Sequence, residues 1–511
     1  MKRLFGLALV GGLLTLTALA QGPAGGLAAG TWQLSTLAPM GTEENTTWLF
    51  TLEKTEDKIT AKVLSTSAKG TPEVVSFKVD GDKVKLVVKG AAEETFEGQI
   101  SKDGKKIVGV FGNSKGANAA YMAASDMTTI PKKGAKQKLK GAVQDLKNWA
   151  EISSPMAQTF GHNAIIDVNC ELAMAFLAKS DAALAAKFAM IAEKANSAKD
   201  GANAERLKVL RIATRALKDA GMEADLAPMA DRLEKMELVV DKEYHATVPP
   251  FKGKVFAGRK SESKRVVVME LFTGAQCPPC VAADVAFDVL QKTYKTNEVA
   301  LIQYHLHIPG ADPMTNSDTE ARAKYYKVNS TPSTLFDGVS KAGGGGGMAA
   351  AEKKYEAYRK VIEPLLDEPA GCHITASAKR VNNKVEIQTS VSGLEKPGAN
   401  FKLRLVLVEE NIRFVGVNNL RFHHQVVRAM PGGVAGVSLT NPQMTFKNEV
   451  NLTDLRKQLT KYLDNYNLTG ARAPFPQVPR PLDFNGLRVI ALVQDDTTHD
   501  ILQAVQVDVK E

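Results

Sequence analysis

In the stretch ELFTGAQCPPCVAADVAFDVLQ, which begins at Glu270, Cys277 and Cys280 stand two residues apart. No other part of the sequence restricts the backbone as tightly. The run before them, KRVVVMELF, is apolar and β-branched and predicts a buried strand. The run after them has helical periodicity, with Val281, Val285, Leu290 and Tyr294 on one side. The two thiols are therefore expected where a strand's end meets a helix's start. Free N–H groups and partial positive charge in the first helical turn favour a thiolate at Cys277. Pro278 and Pro279 are tolerated there, because a first turn has no intrahelical donor to lose. They also remove two N–H groups near the sulfur, so the expected effect is moderate. An exposed Cys277 thiolate attacks a disulfide, and Cys280 resolves the mixed disulfide.

A second, independent feature lies in VNSTPSTLFDG, where Thr331-Pro332 precedes the apolar STLF. Together, Cys-Pro-Pro-Cys and the later Thr-Pro resemble the thioredoxin-fold superfamily. The likeness is to exported bacterial proteins with an ELFTG…C strand end and a C-terminal β-sandwich. It covers roughly residues 262–366 and continues more weakly to the C-terminus. Gln276 stands where thioredoxins proper place a tryptophan. The resemblance implies a cis peptide bond at Pro332 facing the cysteines, with Thr331 pairing with a substrate's extended chain. It also implies a buried acid beneath the second cysteine. Glu270, seven residues before Cys277, is the candidate for that role. If buried, its pKa rises, which suits a proton acceptor. The competing role for Glu270 is a carboxylate that fixes the turn.

Other polar groups carry less weight. His305 and His307 close the strand VALIQYHLH and share a face with Gln303, which fits two polar residues starting a loop better than metal ligands. His423 and His424 are adjacent and point apart on a strand. The Gly343–Gly347 run lacks a Gly-Lys-Ser/Thr ending and reads as a flexible loop before a helix.

The chain's 511 residues exceed one core and imply three or four domains. A composition of 44% hydrophobic and 24% charged residues is that of an ordinary globular protein. Lys2 and Arg3, the apolar run LFGLALVGGLLTLTALA and Ala18-Leu19-Ala20 read as a signal peptide over residues 1–20, in preference to a transmembrane anchor. This predicts export to a bacterial periplasm or the extracellular space. No later segment reaches the roughly 20 apolar residues of a spanning helix, so the mature chain is expected not to cross a membrane. The formal charge falls from +9 to +7 without Lys2 and Arg3, and the lysines are dispersed, which argues against nucleic-acid binding. Cys170 and Cys372 complete the four cysteines and are expected to be buried thiols, with nothing to support a bridge between them.

The predicted fold is multidomain α+β. Residues 31–126 alternate with period two around Asp80-Gly81 and Asp103-Gly104, which predicts a β-meander or small barrel with Trp48, Phe50, Leu52, Val75, Phe77 and Val79 inside. Residues 136–243 predict a helical bundle, interrupted near Pro228, and 245–265 a linker. Residues 262–366 predict the thioredoxin-like α/β domain, and 370–511 an immunoglobulin-like β-sandwich with one helix inserted.

These readings lead to an exported thiol-disulfide oxidoreductase acting on protein thiols and disulfides, reset by a separate redox partner and needing no cofactor. Two alternatives use the same residues. One is a copper or zinc chaperone, which requires a histidine beside both sulfurs. The other is a non-catalytic envelope binding protein with a permanent disulfide, which requires both sulfurs to be covered.

Overall fold

Asp-Gly pairs at the tips of alternating runs accept the left-handed backbone of tight turns, and Gly81 (φ 61°) and Gly104 (φ 68°) adopt it. The resulting hairpins were located in a computed structural model that describes residues 27–39, 41–55, 59–139, 141–198, 201–339, 342–469 and 481–511. The expected signal peptide, 1–20, lies outside the described residues. The chain divides into two compact units, Met1–Val240 and Asp241–Glu511.

The first unit begins with nine strands: β1 (Gly30–Leu37), β2 (Glu43–Lys54), β3 (Ile59–Thr66), β4 (Glu73–Asp80), β5 (Lys83–Lys89), β6 (Glu93–Ile100), β7 (Lys106–Asn113), β8 (Gly116–Ala124) and β9 (Ala135–Lys138). They form one antiparallel sheet in the order β3-β2-β1-β8-β7-β6-β5-β4, with β9 added to β2. The sheet is nearly closed into a barrel. Its inside is filled by Trp32, Trp48, Phe50, Leu86 and Phe96, each at most 2% exposed. Val75, expected inside, is instead half exposed. A bulge between Val74 and Ser76 shifts the register of β4 against β5, and a one-residue shift moves a side chain to the other face.

Five α-helices follow among the described residues: α1 (Val143–Met156), α2 (His162–Ala178), α3 (Ala182–Ser197), α4 (Asn203–Asp219) and α5 (Glu223–Thr247), the last of which runs past Val240. Leu172, Phe176, Phe188, Leu210 and Leu217 join α2, α3 and α4 in one core, where the rings of Phe176 and Phe188 stack at 5.5 Å. The sheet's outer residues Val110 and Ala119 belong to the same core. Helical structure starts at Val143 rather than 136, because Ala135–Lys138 pairs with Glu43–Thr46 as a strand. Pro228 does not interrupt α5; it stands in the second turn, where the missing N–H costs one bond.

The second unit contains β10 (Val267–Thr273), α6 (Val281–Thr293), β11 (Val299–His305), α7 (Ser317–Tyr325), β12 (Ser333–Phe336), α8 (Ala351–Leu366), β13 (His373–Val381), β14 (Lys384–Ser392), β15 (Gly398–Arg413), β16 (Phe422–Ala429), β17 (Val437–Leu439), β18 (Met444–Asn451), α9 (Leu452–Thr469), β19 (Leu487–Asp495) and β20 (Ile501–Asp508). β10 and β11 are parallel neighbours, and β12 runs antiparallel on the other side of β10. Beyond β11 the sheet does not end. It continues through β16, β15, β19 and β20 into one sheet of eight strands, counting β17 on β15. Segments 262–366 and 370–511, expected as separate bodies, thus share a sheet. β13, β14 and β18 form a second, three-stranded sheet.

Alternation assigns each face of the large sheet to a different core. Val267, Met269 and Leu271 of β10 pack with Phe287 and Leu290 of α6 and with Tyr355, Tyr358 and Ile362 of α8. Val268 and Phe272 point the other way, into a core with Ala323 of α7 and Val406, Val408 and Ile490. Leu405, Val489 and Ala491 face the small sheet's Val385 and Ile387, with Leu455 and Leu459 of α9. No helix among the described residues is long and apolar enough to cross a membrane.

Candidate functional site

The buried strand β10 delivers the chain to a sharp corner at Gly274. A side-chain carbon there would lie 2.9 Å from the Ile308 carbonyl and 3.1 Å from that of Leu306, so only glycine fits. The Cys277 N–H bonds the Gly274 carbonyl (3.0 Å), and Cys277 is extended. Pro278–Cys280 forms a single 3₁₀ turn, closed by Cys280 N–H to the Cys277 carbonyl (3.1 Å), and α6 continues from it. The strand-to-helix corner thus stands where the sequence placed it. The Cys280 N–H is spent on the turn.

Cys277 and Cys280 form a disulfide, with Cα atoms 5.3 Å apart. Thr331 closes over it. Its Oγ1 donates toward Cys277 Sγ at 3.3 Å, and its carbonyl oxygen lies 3.7 Å from the same sulfur. The Thr331–Pro332 bond is cis, and both residues are half-buried. The corner therefore brings four of the five expected site residues together: Cys277, Cys280, Thr331 and Pro332.

One expectation fails here. Cys277 was expected to stand exposed, but it is 1% exposed and Cys280 is 0%; only Pro278 and Pro279 reach solvent. Distant segments hold the backbone on either side of the pair. Gly346 N–H donates to the Pro279 carbonyl (2.7 Å), and the Gly346 carbonyl accepts from Ala282 (2.9 Å). A side chain at Gly345 would come within 2.3 Å of the Pro279 carbonyl. The glycine run, read as a flexible loop, clasps the start of α6. On the other side Asn418 N–H bonds the Ala275 carbonyl (3.1 Å), and Gly416 passes so close that a Cβ would lie 2.1 Å from that oxygen.

Glu270 is the fifth expected residue, and it does not join the cysteines. It shares its β10 face with Val268 and Phe272, opposite α6. Arg322 of α7 grips it from that side, Nε to Oε1 at 2.9 Å and Nη2 to Oε2 at 3.1 Å. The Tyr326 hydroxyl donates to Oε2 at 2.6 Å. With both oxygens committed and fully buried, Glu270 is an ion-pair anchor rather than a proton acceptor for a thiol.

A different acid occupies the cysteine side. Asp284 lies one helical turn after Cys280 and is 2% exposed. It accepts from Thr273 Oγ1 (3.0 Å) and Gln303 Nε2 (3.3 Å). Burial holds its carboxyl well above the usual range. Its signal in the sequence was an acid inside VAADVAF, four residues from a cysteine in an otherwise apolar helix start. Nearby, Asp312 accepts from the Ala275 N–H (2.6 Å) and from His305 Nδ1 (2.8 Å). Burial pushes the Asp312 carboxyl up, but His305 and the N–H groups of Ala275 and Met314 outweigh it and leave it below its ordinary value.

The histidines sort as the pleat dictates. His423 meets His305 edge to face at 4.9 Å and donates from Nε2 to the Phe414 carbonyl (3.0 Å). Burial pushes it down to about 3, so it is neutral. His424 points away and pairs with Asp288 at 2.7 Å. His305 Nε2, His423 Nδ1 and Gln303 Oε1 are buried with no hydrogen-bond partner among the described residues. Among those residues no group of three or more His, Cys, Asp or Glu side chains has the geometry to hold a metal ion. Cys170 and Cys372 are free and buried, and burial raises each thiol to about 12.

No protein-family model and no curated protein matches this chain. Among solved structures, a chain described as HBP35 of Porphyromonas gingivalis is 15% identical, with a TM-score of 0.32 over 49% of this chain and 77% of that one. A likeness at that level decides neither fold nor activity.

Proposed function

We propose that the chain is an exported thiol-disulfide oxidoreductase with a thioredoxin-like core over residues 262–366. The observation that carries this reading is the contact of Cys277 Sγ with Thr331, the residue that this reading assigns to pairing with a substrate's extended chain. The arrangement β10–α6–β11, with antiparallel β12 after Pro332 and α8 beside α6, supports the core assignment. The two packed sheets of residues 370–511 support the sandwich reading, modified by the strands they share with the core. In the reduced protein, Cys277 attacks a substrate disulfide, its sulfur bonding one substrate sulfur while the other leaves as thiolate. Cys280 then displaces the substrate, and the Cys277–Cys280 disulfide remains. A partner protein resets it. Export rests on the N-terminal residues alone.

A specific observation favours the second reading, an envelope binding protein with a permanent disulfide: both sulfurs are covered. Insulin reduction and glutathione-coupled turnover separate the two. The oxidoreductase reading expects turnover in the wild type and none in Cys277→Ser. A folded wild-type protein whose disulfide resists dithiothreitol, and which turns nothing over, overturns it.

A further inference from the structure

The residues after Cys277 strip its sulfur of the donors that a helix start offers. Pro278 and Pro279 carry no N–H, and the Cys280 N–H bonds the Cys277 carbonyl at 3.1 Å. Among the hydrogen bonds of the described residues, one donor reaches Cys277 Sγ: the Thr331 hydroxyl, at 3.3 Å. The same hydroxyl lies 3.1 Å from the Ile308 carbonyl oxygen.

A hydroxyl has a single proton to donate. In the disulfide the sulfur is a weak, uncharged acceptor, and the Ile308 carbonyl is the better one. In a thiolate the sulfur carries a full charge and becomes the stronger acceptor. Turning the O–H bond about Cβ–Oγ1 carries the proton from one to the other while every heavy atom stays in place. Both acceptors are held where they stand. The Ile308 carbonyl abuts Gly274, where a Cβ would lie 2.9 Å away. Asp312 ties the two segments together, accepting from the Ala275 N–H (2.6 Å) and donating its own N–H to His307 Nδ1 (3.0 Å).

The other polar groups at the corner do not take this role. The Thr331 carbonyl oxygen, 3.7 Å from the sulfur, opposes a thiolate. The charged and titratable side chains bond elsewhere: Asp284 of α6 with Thr273 and Gln303, Asp312 with His305 of β11, His423 of β16 with the Phe414 carbonyl, and Lys354 of α8 with the Gly343 carbonyl.

We propose that the Thr331 hydroxyl is a catalytic donor, which holds Cys277 as the attacking thiolate in a site whose prolines deny that sulfur backbone donors. The inference rests on the reading of Cys277 as the attacking sulfur, and it gives the Thr331 side chain a task separate from the pairing of its backbone with substrate.

The test is the ultraviolet absorbance of the thiolate, followed from about pH 4 to 10. The parent is the full chain with Cys280→Ser, which leaves Cys277 unpaired, and the blank carries Cys277→Ser as well. Cys170 and Cys372, raised to about 12 by burial, stay silent in this range. Thr331→Val keeps the shape and removes the hydroxyl. It is expected to raise the Cys277 midpoint by about one pH unit or more, the scale of one lost hydrogen bond to a charged group. Thr331→Ser restores the hydroxyl and is expected to titrate like the parent. Circular dichroism checks folding, and Thr331→Ala replaces Thr331→Val if that variant does not fold. Three results overturn the inference: no Cys277 thiolate forms in this range, the variant without the hydroxyl titrates like the parent, or Thr331→Ser shifts as far as that variant. The titration requires no turnover, so its failure and that of the insulin assay are read separately.

Discussion

At the scale of single residues, burial decides what each charge does. Arg322 and Glu270 are both fully buried and bonded twice to each other. Arg322→Met leaves a carboxylate in the core without its partner and is expected to cost about 3–5 kcal/mol in urea unfolding. The double variant Arg322→Met, Glu270→Met recovers much of that loss. If the single variant unfolds like the wild type, the pair is not the anchor described. Glu171 gives a pH prediction. Burial raises its pKa from 4.5 to about 8, against the lowering by Asn118 and the Ala119 N–H. Its folded-state pKa lies above the unfolded one, so the folded protein holds the extra proton between them. The contribution is complete below pH 4.5 and is lost as pH rises toward 8. Chemical unfolding across that window is expected to show a wild-type stability that falls with pH by up to about 1.4 kcal/mol per pH unit more than in Glu171→Gln. Parallel curves would refute the assignment. The sequence displayed Asp284 as an acid in an apolar helix. It could not rank Asp284 over Glu270, because the face of β10 that meets α6 is set by packing.

At the scale of elements, local chemistry placed strands, turns and helices, and contacts between elements moved their edges. The Asp-Gly turns depend on two residues each and stand as read. The β4 bulge depends on the fit between two strands, and it alone turned Val75 outward. Val75→Thr is therefore expected to change unfolding stability by less than about 0.5 kcal/mol. Leu86→Ala, at a fully buried position, costs about 2–5 kcal/mol. A large loss from Val75→Thr would put that side chain in the barrel after all. The clasp at Gly345 is tested by Gly345→Ala. Its methyl collides with the Pro279 carbonyl, so the start of α6 must shift and the disulfide lose cover. Dithiothreitol is expected to reduce Cys277–Cys280 faster in this variant than in the wild type, and an unchanged rate would show that the glycine run does not control access.

At the scale of the whole molecule, the second unit is continuous through its large sheet. β11 is followed in the sheet by β16, and Val406, Val408 and Ile490 complete the core that Val268 and Phe272 begin. A fragment ending at residue 366 would expose that core and an unpaired β11 edge. It is expected to lack a cooperative thermal transition by circular dichroism, whereas the intact chain shows one. A cooperative fragment would restore a self-sufficient domain over residues 262–366. What the sequence determined alone was everything that neighbours along the chain control: the hairpins, the helical periodicity, and the corner that puts two cysteines between a buried strand and a helix. What only the tertiary structure decided was the state of those cysteines. Thr331 touches the Cys277 sulfur, while the glycine run and Asn418, which stands 144 residues beyond Gly274, hold the backbone on either side of the pair. Spacing at that range sets no geometry; the packing of the sheet does.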